Sequence, residues 1–239
     1  GRELSEIGMI TDGAVAARDG MIVAVGTTSD LRKRVELVEG AVVIDARGKV
    51  VLPGLVDPHT HVVFAGSREH ELEMKIQGMP YLEILARGGG ILDTVRSTRE
   101  ASREDLIRAG AKYLDEMLAQ GTTTAEAKSG YGLTLKDELK MLEAIRVLQE
   151  THPVDLVPTF LGAHAIPEEY KDDPDGFVDL VIQEMLPAIS PLGLARFCDV
   201  FCEEGVFSVE QTRSILLGAK KLGFELKIHA DEMVTLGGA

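Results

Sequence analysis

The sequence predicts an α/β protein: a (β/α)8 barrel of the TIM type, with about five strand–helix units present, behind a small β-sandwich-like domain. Three observations carry this. From Val50 onward, short apolar runs alternate with segments of helical period, which is the pattern of a parallel sheet. Residues able to do chemistry recur at the ends of those runs: His59 and His61, then Tyr131, His164, Glu203, and His229 with Glu232. Barrels of parallel strands keep their active groups at that end. Before Val50 the pattern is β-rich and centred on Asp19-Gly20, a strong hairpin signal. The expected domains are residues 1–49, the β domain, and residues 50–239, the barrel.

Composition narrows the function. The formal net charge of −14 argues against nucleic acid or an anionic membrane as partner. An acidic substrate would need a local cationic pocket. Trp is absent and aromatics make up 5% of the chain, so the core must be aliphatic. Cys198 and Cys202 do not form a disulfide framework, which suits a reducing cytoplasm. No run reaches about 18 apolar residues, the length a membrane-spanning helix needs.

In the N-terminal part, Ala14–Arg18 and Met21–Gly26 are the arms of the hairpin, and Ala41–Asp45 reads as a third strand. There is no initiator Met, so residues before Gly1 are expected. The first barrel strand is a buried run over 50–59. A long connection, 62–101, holds Gly88-Gly89-Gly90 and the arginine-containing run Asp93–Arg99. Ser102 caps a helix that Gly121 stops. Thr122–Ala127 is the second strand, followed by Ser129-Gly130-Tyr131-Gly132 and a helix from about Thr134 to Glu150. Val154–Leu161 is the third strand, ending at Gly162-Ala163-His164, with a helix over 174–189. Phe197–Phe201 is the fourth, and Ser208-Val209-Glu210-Gln211 is a capping box opening the next helix. Phe224–Ile228 is the fifth strand, ending at His229-Ala230-Asp231-Glu232. A sheet ending there would expose apolar edges.

His59 and His61 carry the chemistry. Residues i and i+2 of a strand point to one side, so two imidazoles meet at one point, as a metal requires. Two polar residues at a strand end is the plainer reading. The charged loop Gly66-Ser67-Arg68-Glu69-His70-Glu71 that follows weighs against it. His229 supplies a third nitrogen, against the alternative of a core histidine bonded to backbone. Three ligands with an open position is the catalytic arrangement, and such a metal acidifies its water and polarises a carbonyl. Glu232 could act as base or proton shuttle, or be a solvated acid. His164 is a fourth ligand or, preferably, a donor to a substrate carbonyl. Tyr131, between glycines, allows close approach to a ligand. Arg68 could bind a carboxylate, with Arg96, Arg99 and Lys128 as alternatives. Cys202 reads as buried structure and Glu203 as undecided. The three glycines lack the setting of a phosphate loop and read as a flexible loop over the site.

The motif Pro53-Gly54-Leu55-Val56-Asp57-Pro58-His59-Thr60-His61 after a small β domain resembles the amidohydrolase superfamily. Within it the chain is similar to the imidazolonepropionase family. The likeness runs through Gly66-Ser67-Arg68, Arg87–Ile91 to Arg99, Ala127–Gly132, Thr159–Ala165, Asp199–Glu203 and Lys227–Glu232, essentially the whole chain. The resemblance implies hydrolytic opening of 4-imidazolone-5-propanoate to N-formimidoyl-L-glutamate in histidine degradation. It implies zinc or iron held by His59, His61 and His229, with Arg68, Tyr131, His164 and Glu232 on the substrate. His164 and Glu232 would be the catalytic pair. It also implies further strands and a metal-site aspartate beyond Ala239, a cytoplasmic location, and a homodimer. The rival readings are a cyclic-amidine deaminase of the same superfamily and a non-catalytic fragment.

Overall fold

The computed structural model describes residues 7–79 and 89–239, and the chain divides into two compact units, Gly1–Leu52 and Pro53–Ala239. In the first, β1 (Gly13–Arg18) and β2 (Met21–Thr27) pair antiparallel. Asp19 and Gly20 both take positive φ, 51° and 76°. That is the mirror-type two-residue turn whose twist matches the strands it joins. Helix α1 (Thr28–Arg34) is capped by the Thr27 side chain, which accepts the Asp30 N–H, and buries Leu31.

The strand expected over Ala41–Asp45 does not form. Its neighbouring backbone bonds are local turns, Ala41 N–H to Val38 O and Lys49 N–H to Ala46 O, and Val42 and Ile44 are more than 80% exposed. A β-prone run without a partner strand has nothing to hold it extended. Among the described residues this unit is therefore a hairpin with a helix, not a sandwich.

The second unit is a parallel sheet in the order β3 (Leu55–Asp57), β4 (Thr122–Lys128), β5 (Asp155–Ala163), β6 (Phe197–Cys202) and β7 (Glu225–Leu226). A short β8 (His229–Ala230) also pairs with β6. Spatial order follows chain order and helices connect the strands, which is the winding of a partial TIM-type barrel.

Two strands are shorter than expected. The run over 50–59 yields only Leu55–Asp57, because Pro53 and Pro58 have no N–H for the ladder. Nor is it buried: β3 is an edge strand, and Leu55 and Val56 are more than half exposed. The fifth strand breaks into β7 and β8, with Lys227 N–H bonded to Cys198 O between them.

Among the described residues, the long connection holds two helices, α2 (Glu69–Ile76) and α3 (Ile91–Glu100). The arginine-containing run is therefore helix. Gly90 caps α3 at φ 72° and donates its N–H to the buried Glu71 Oε1 at 2.6 Å, so this end of the glycine run is tied down. Arg87 and Gly88 lie outside the described residues. Reciprocal capping boxes, Ser102 with Asp105 and Ser208 with Gln211, start α4 (Arg103–Ala119) and α8 (Val209–Lys221). Thr134 caps α5 (Leu135–Thr151). After β5, α6 (Pro174–Leu180) passes through a π-helical turn (Val181–Met185) into α7 (Leu186–Ile189).

Strand alternation gives the sheet two unlike faces. Ala125, Ala127, Cys198 and Val200 join Leu106, Leu114, Leu142, Ile145 and Ile215 of the helices in one aliphatic core. The residues between them are buried too, but polar: Glu126, Lys128, Thr159 and Asp199. Two substitutions test the account. Leu142→Ala, in this core, should lower stability by about 2–5 kcal/mol. Val42→Ala, in the exposed run, should change it by less than about 0.5 kcal/mol. Denaturant titration reads both.

Candidate metal centre

His59 and His61 follow β3 in a non-strand segment, yet they still converge. Thr60 between them is bound to β4: its carbonyl accepts the Lys128 N–H at 3.1 Å and its hydroxyl donates to Glu126 O. That anchoring keeps the alternation a strand would have given. His229 arrives on β8, paired with Phe201 of β6. The ring centroids of His59 and His229 are 4.4 Å apart, and those of His61 lie 5.7 and 5.8 Å from them. One potential ligand nitrogen from each of the three falls within 4.8 Å of the others.

The donor set fits a metal. His61 Nδ1 is buried without a hydrogen-bond partner among the described residues. Burial, and then the neighbouring His164 and His229, hold the His61 pKa down to about 2. Burial first, and then the neighbouring His229, also lower His59. Both rings therefore stay neutral at neutral pH, with lone pairs to offer.

The polar face of the sheet lies around this cluster. Lys128 Nζ, on a side chain 1% exposed, sits 2.6 Å from Asp199 Oδ2 and 2.8 Å from Glu126 Oε2. Glu126 Oε1 also accepts from Lys227 Nζ and Thr159 Oγ1, each at 2.5 Å. Asp199 Oδ2 approaches His229 Nδ1 to 2.8 Å, although not along the line of a well-formed hydrogen bond. Burial disfavours the Asp199 carboxylate, but His229 and Lys128 outweigh it and bring its pKa down to about 2.

His164 and Tyr131 complete the wall. The His164 ring stacks on His61 at 4.8 Å, and Tyr131 lies 5.5 Å from His61 and 5.2 Å from His164. His164 Nδ1 is 3.0 Å from Gly130 O. A carbonyl only accepts, so Nδ1 carries the proton. Burial takes the His164 pKa to about 4 against the pull of that bond, so Nε2 of the neutral ring is an acceptor. The donor role expected of His164 needs a second proton on the ring. Burial raises the Tyr131 hydroxyl, opposed by the nearby charge of Arg68, and so keeps it a donor.

Glu138 shapes the loop that carries Tyr131. Its buried carboxylate accepts the N–H groups of Gly130, Gly132 and Leu133 at 2.9–3.1 Å. A Cβ on Gly132 would come within 2.5 Å of the backbone at Asp137 and Glu138, so only glycine fits there. Glu203, at the end of β6, works similarly on the loop after His229. It accepts the N–H groups of Glu232, Met233 and Val234. Glu232 itself is exposed.

The other expected carboxylate partners are engaged. Lys128 is enclosed by acids. Arg99 binds Gly132 O, Leu133 O and Glu169, and Arg96 lies 3.1 Å from Asp93. Among the described residues, Arg68, 39% exposed, makes a single long ion-pair contact of 3.7 Å, with Glu71. His70, Glu71 and Asp93 form a second group of potential ligands, but Arg68 and Arg96 already face its two acids. Cys202 is buried, as expected.

Sequence reasoning missed Glu126, Asp199 and Glu138. A signal existed for the first two: a charged residue inside an apolar strand must have a buried partner. Glu138→Gln tests the loop account. An amide cannot accept at both ends, so one N–H loses its partner, and stability should fall by about 1–3 kcal/mol on chemical denaturation.

The sequence comparisons agree with this geometry. A family profile described as "Amidohydrolase family" matches residues 42–79, and one described as "Imidazolonepropionase-like composite domain, bacteria" matches residues 13–34. An imidazolonepropionase of Alkaliphilus oremlandii is 57% identical over the whole chain, and that of Alkaliphilus metalliredigens 56%. The chain spans 56% of the length of each. Among solved structures, a 5-methylcytosine deaminase of Klebsiella pneumoniae with phosphonocytosine superimposes with a TM-score of 0.60 at 18% identity. That match covers 91% of this chain and 48% of the deaminase, and it speaks to the fold alone. Along its whole length, therefore, the chain is similar to the imidazolonepropionases, over just over half of theirs.

Proposed function

We propose that the protein is a metal-dependent hydrolase that opens the ring of 4-imidazolone-5-propanoate. Water adds, the ring C–N bond breaks, and N-formimidoyl-L-glutamate forms, a step of histidine degradation. The observation that carries the reading is the three-imidazole cluster in a chain 57% identical to an imidazolonepropionase along its whole length.

His59, His61 and His229 are the proposed ligands. Zinc and iron both suit imidazole nitrogen. Such an ion lowers the pKa of bound water toward neutrality and polarises a carbonyl. The rest of the reading concerns the chain's own groups. Arg68 pairs with the substrate's propionate, and its partly exposed guanidinium supports this. Tyr131 donates to the ring from a hydroxyl that stays protonated. His164 offers Nε2 as an acceptor to a ring N–H. Glu232, on the loop that Glu203 ties down, moves protons. Half-buried Phe64 and Phe201, whose rings contact Tyr131 and His164 respectively, supply water-excluding surface beside them. A cytoplasmic location and a homodimeric state accompany this reading.

The test is turnover of 4-imidazolone-5-propanoate by the zinc- or iron-loaded protein, followed as N-formimidoyl-glutamate by mass spectrometry. Product formation should need the metal and fall to background in His61→Ala. Arg68→Gln should raise KM roughly tenfold or more, as loss of a charge-assisted bond worth about 1.5–3 kcal/mol implies. Ammonia release from cytosine with no turnover of the imidazolone would replace ring opening by deamination.

A further inference from the structure

Asp199 occupies the middle of an otherwise apolar strand and is 1% exposed. Three nitrogen atoms surround it. Oδ1 accepts the Val200 N–H at 2.8 Å, and Oδ2 lies 2.6 Å from Lys128 Nζ and 2.8 Å from His229 Nδ1. A carboxylate can only accept here. A bare Nδ1 at that distance would set two lone pairs against each other, so Nδ1 of His229 carries a proton. Among the described residues Nδ1 has no well-formed hydrogen bond, and Asp199 Oδ2 is the polar atom that faces it. Its Nε2 is then the nitrogen with a free lone pair.

We propose that Asp199 is a positioning residue for His229: it selects the Nδ1–H tautomer, so that Nε2 alone is offered to a metal ion. Lys128 is the second half of the device. Held between Asp199 and Glu126, it fixes Oδ2 in place. Carboxylates behind imidazole ligands orient the ring and strengthen the ligand generally. Here the orienting group sits on β6, the strand with which His229 itself pairs, so ring and carboxylate share one rigid frame. The inference rests on the proposed metal centre but not on the identity of the substrate.

A purely structural Asp199 would serve only to neutralise Lys128, and two measurements separate the roles. In the native protein labelled with 15N-histidine, long-range proton–nitrogen correlation reports the tautomer of each ring, with His229 assigned from the spectrum of His229→Gln. The expected result is a protonated Nδ1 on His229; a protonated Nε2 would overturn the proposal. The second measurement is zinc affinity, by competition with a chromophoric chelator, for native protein and Asp199→Asn. Asparagine has one acceptor oxygen, and donors approach from both sides, so Val200 or the Lys128–His229 pair must lose its acceptor. Affinity should fall roughly 10–100-fold. An unchanged affinity in a folded variant would overturn the proposal. If Asp199→Asn does not fold, the tautomer of the native ring decides. Neither readout involves substrate, so failure of ring opening would leave the inference standing, whereas failure of the native protein to bind zinc would overturn it.

Discussion

A lysine ammonium buried in the sheet is the constraint on which the site depends. Lys128 is 1% exposed, and a bare charge there would be prohibitive without partners. Asp199 and Glu126 supply them, and Lys227 and Thr159 satisfy Glu126 in turn. Two acids and two lysines thus neutralise each other across β4, β6 and the segment before β8, with β5 contributing a hydroxyl. Breaking one member of such a buried set costs about 3–5 kcal/mol, because the remaining charge stays behind. The set ties adjacent strands together on the polar face, beside the histidines. The imidazoles are therefore mounted on the sheet and its strand ends rather than on free loops.

Burial of that face also determines what the histidines can do. Desolvation takes His61 to about 2 and His164 to about 4, far from protonation at neutral pH. A solvated cluster of imidazoles would bind protons in competition with a metal. Here the competition is already decided in favour of the lone pairs. The same environment keeps the Tyr131 hydroxyl protonated. The wall of the site accordingly offers both acceptors and a donor, with Arg68 as a partly exposed cation.

Much of this was legible in the sequence, and the exceptions have physical causes. Capping residues Ser102, Thr134 and Ser208 mark helix starts because their side chains act on the backbone next to them. Asp19-Gly20 marks its hairpin for a similarly local reason. His59 and His61 declare themselves by spacing. What misled is what depends on neighbours distant in sequence. Ala41–Asp45 has the composition of a strand but no partner, and β3 has the composition of a buried strand but a position at the sheet edge. Lys128 reads as a spare cation until Asp199, 71 positions later, is placed against it. The tautomer of His164 follows from Gly130 O, which no local pattern reveals. Glu138 lies only a few residues from the loop it holds, but its bonds go to backbone, where no sequence motif announces them.

The likeness to imidazolonepropionases and the geometry of the polar face thus meet at the same three histidines. A crystal structure of the zinc-loaded protein, with the ion located by anomalous scattering at the zinc edge, tests that claim most directly. The account predicts one ion bonded to His59, His61 and His229 at about 2.0–2.1 Å, the usual zinc–imidazole distance. An ion bound elsewhere, at His70, Glu71 and Asp93 for example, with the three imidazoles empty, would contradict it.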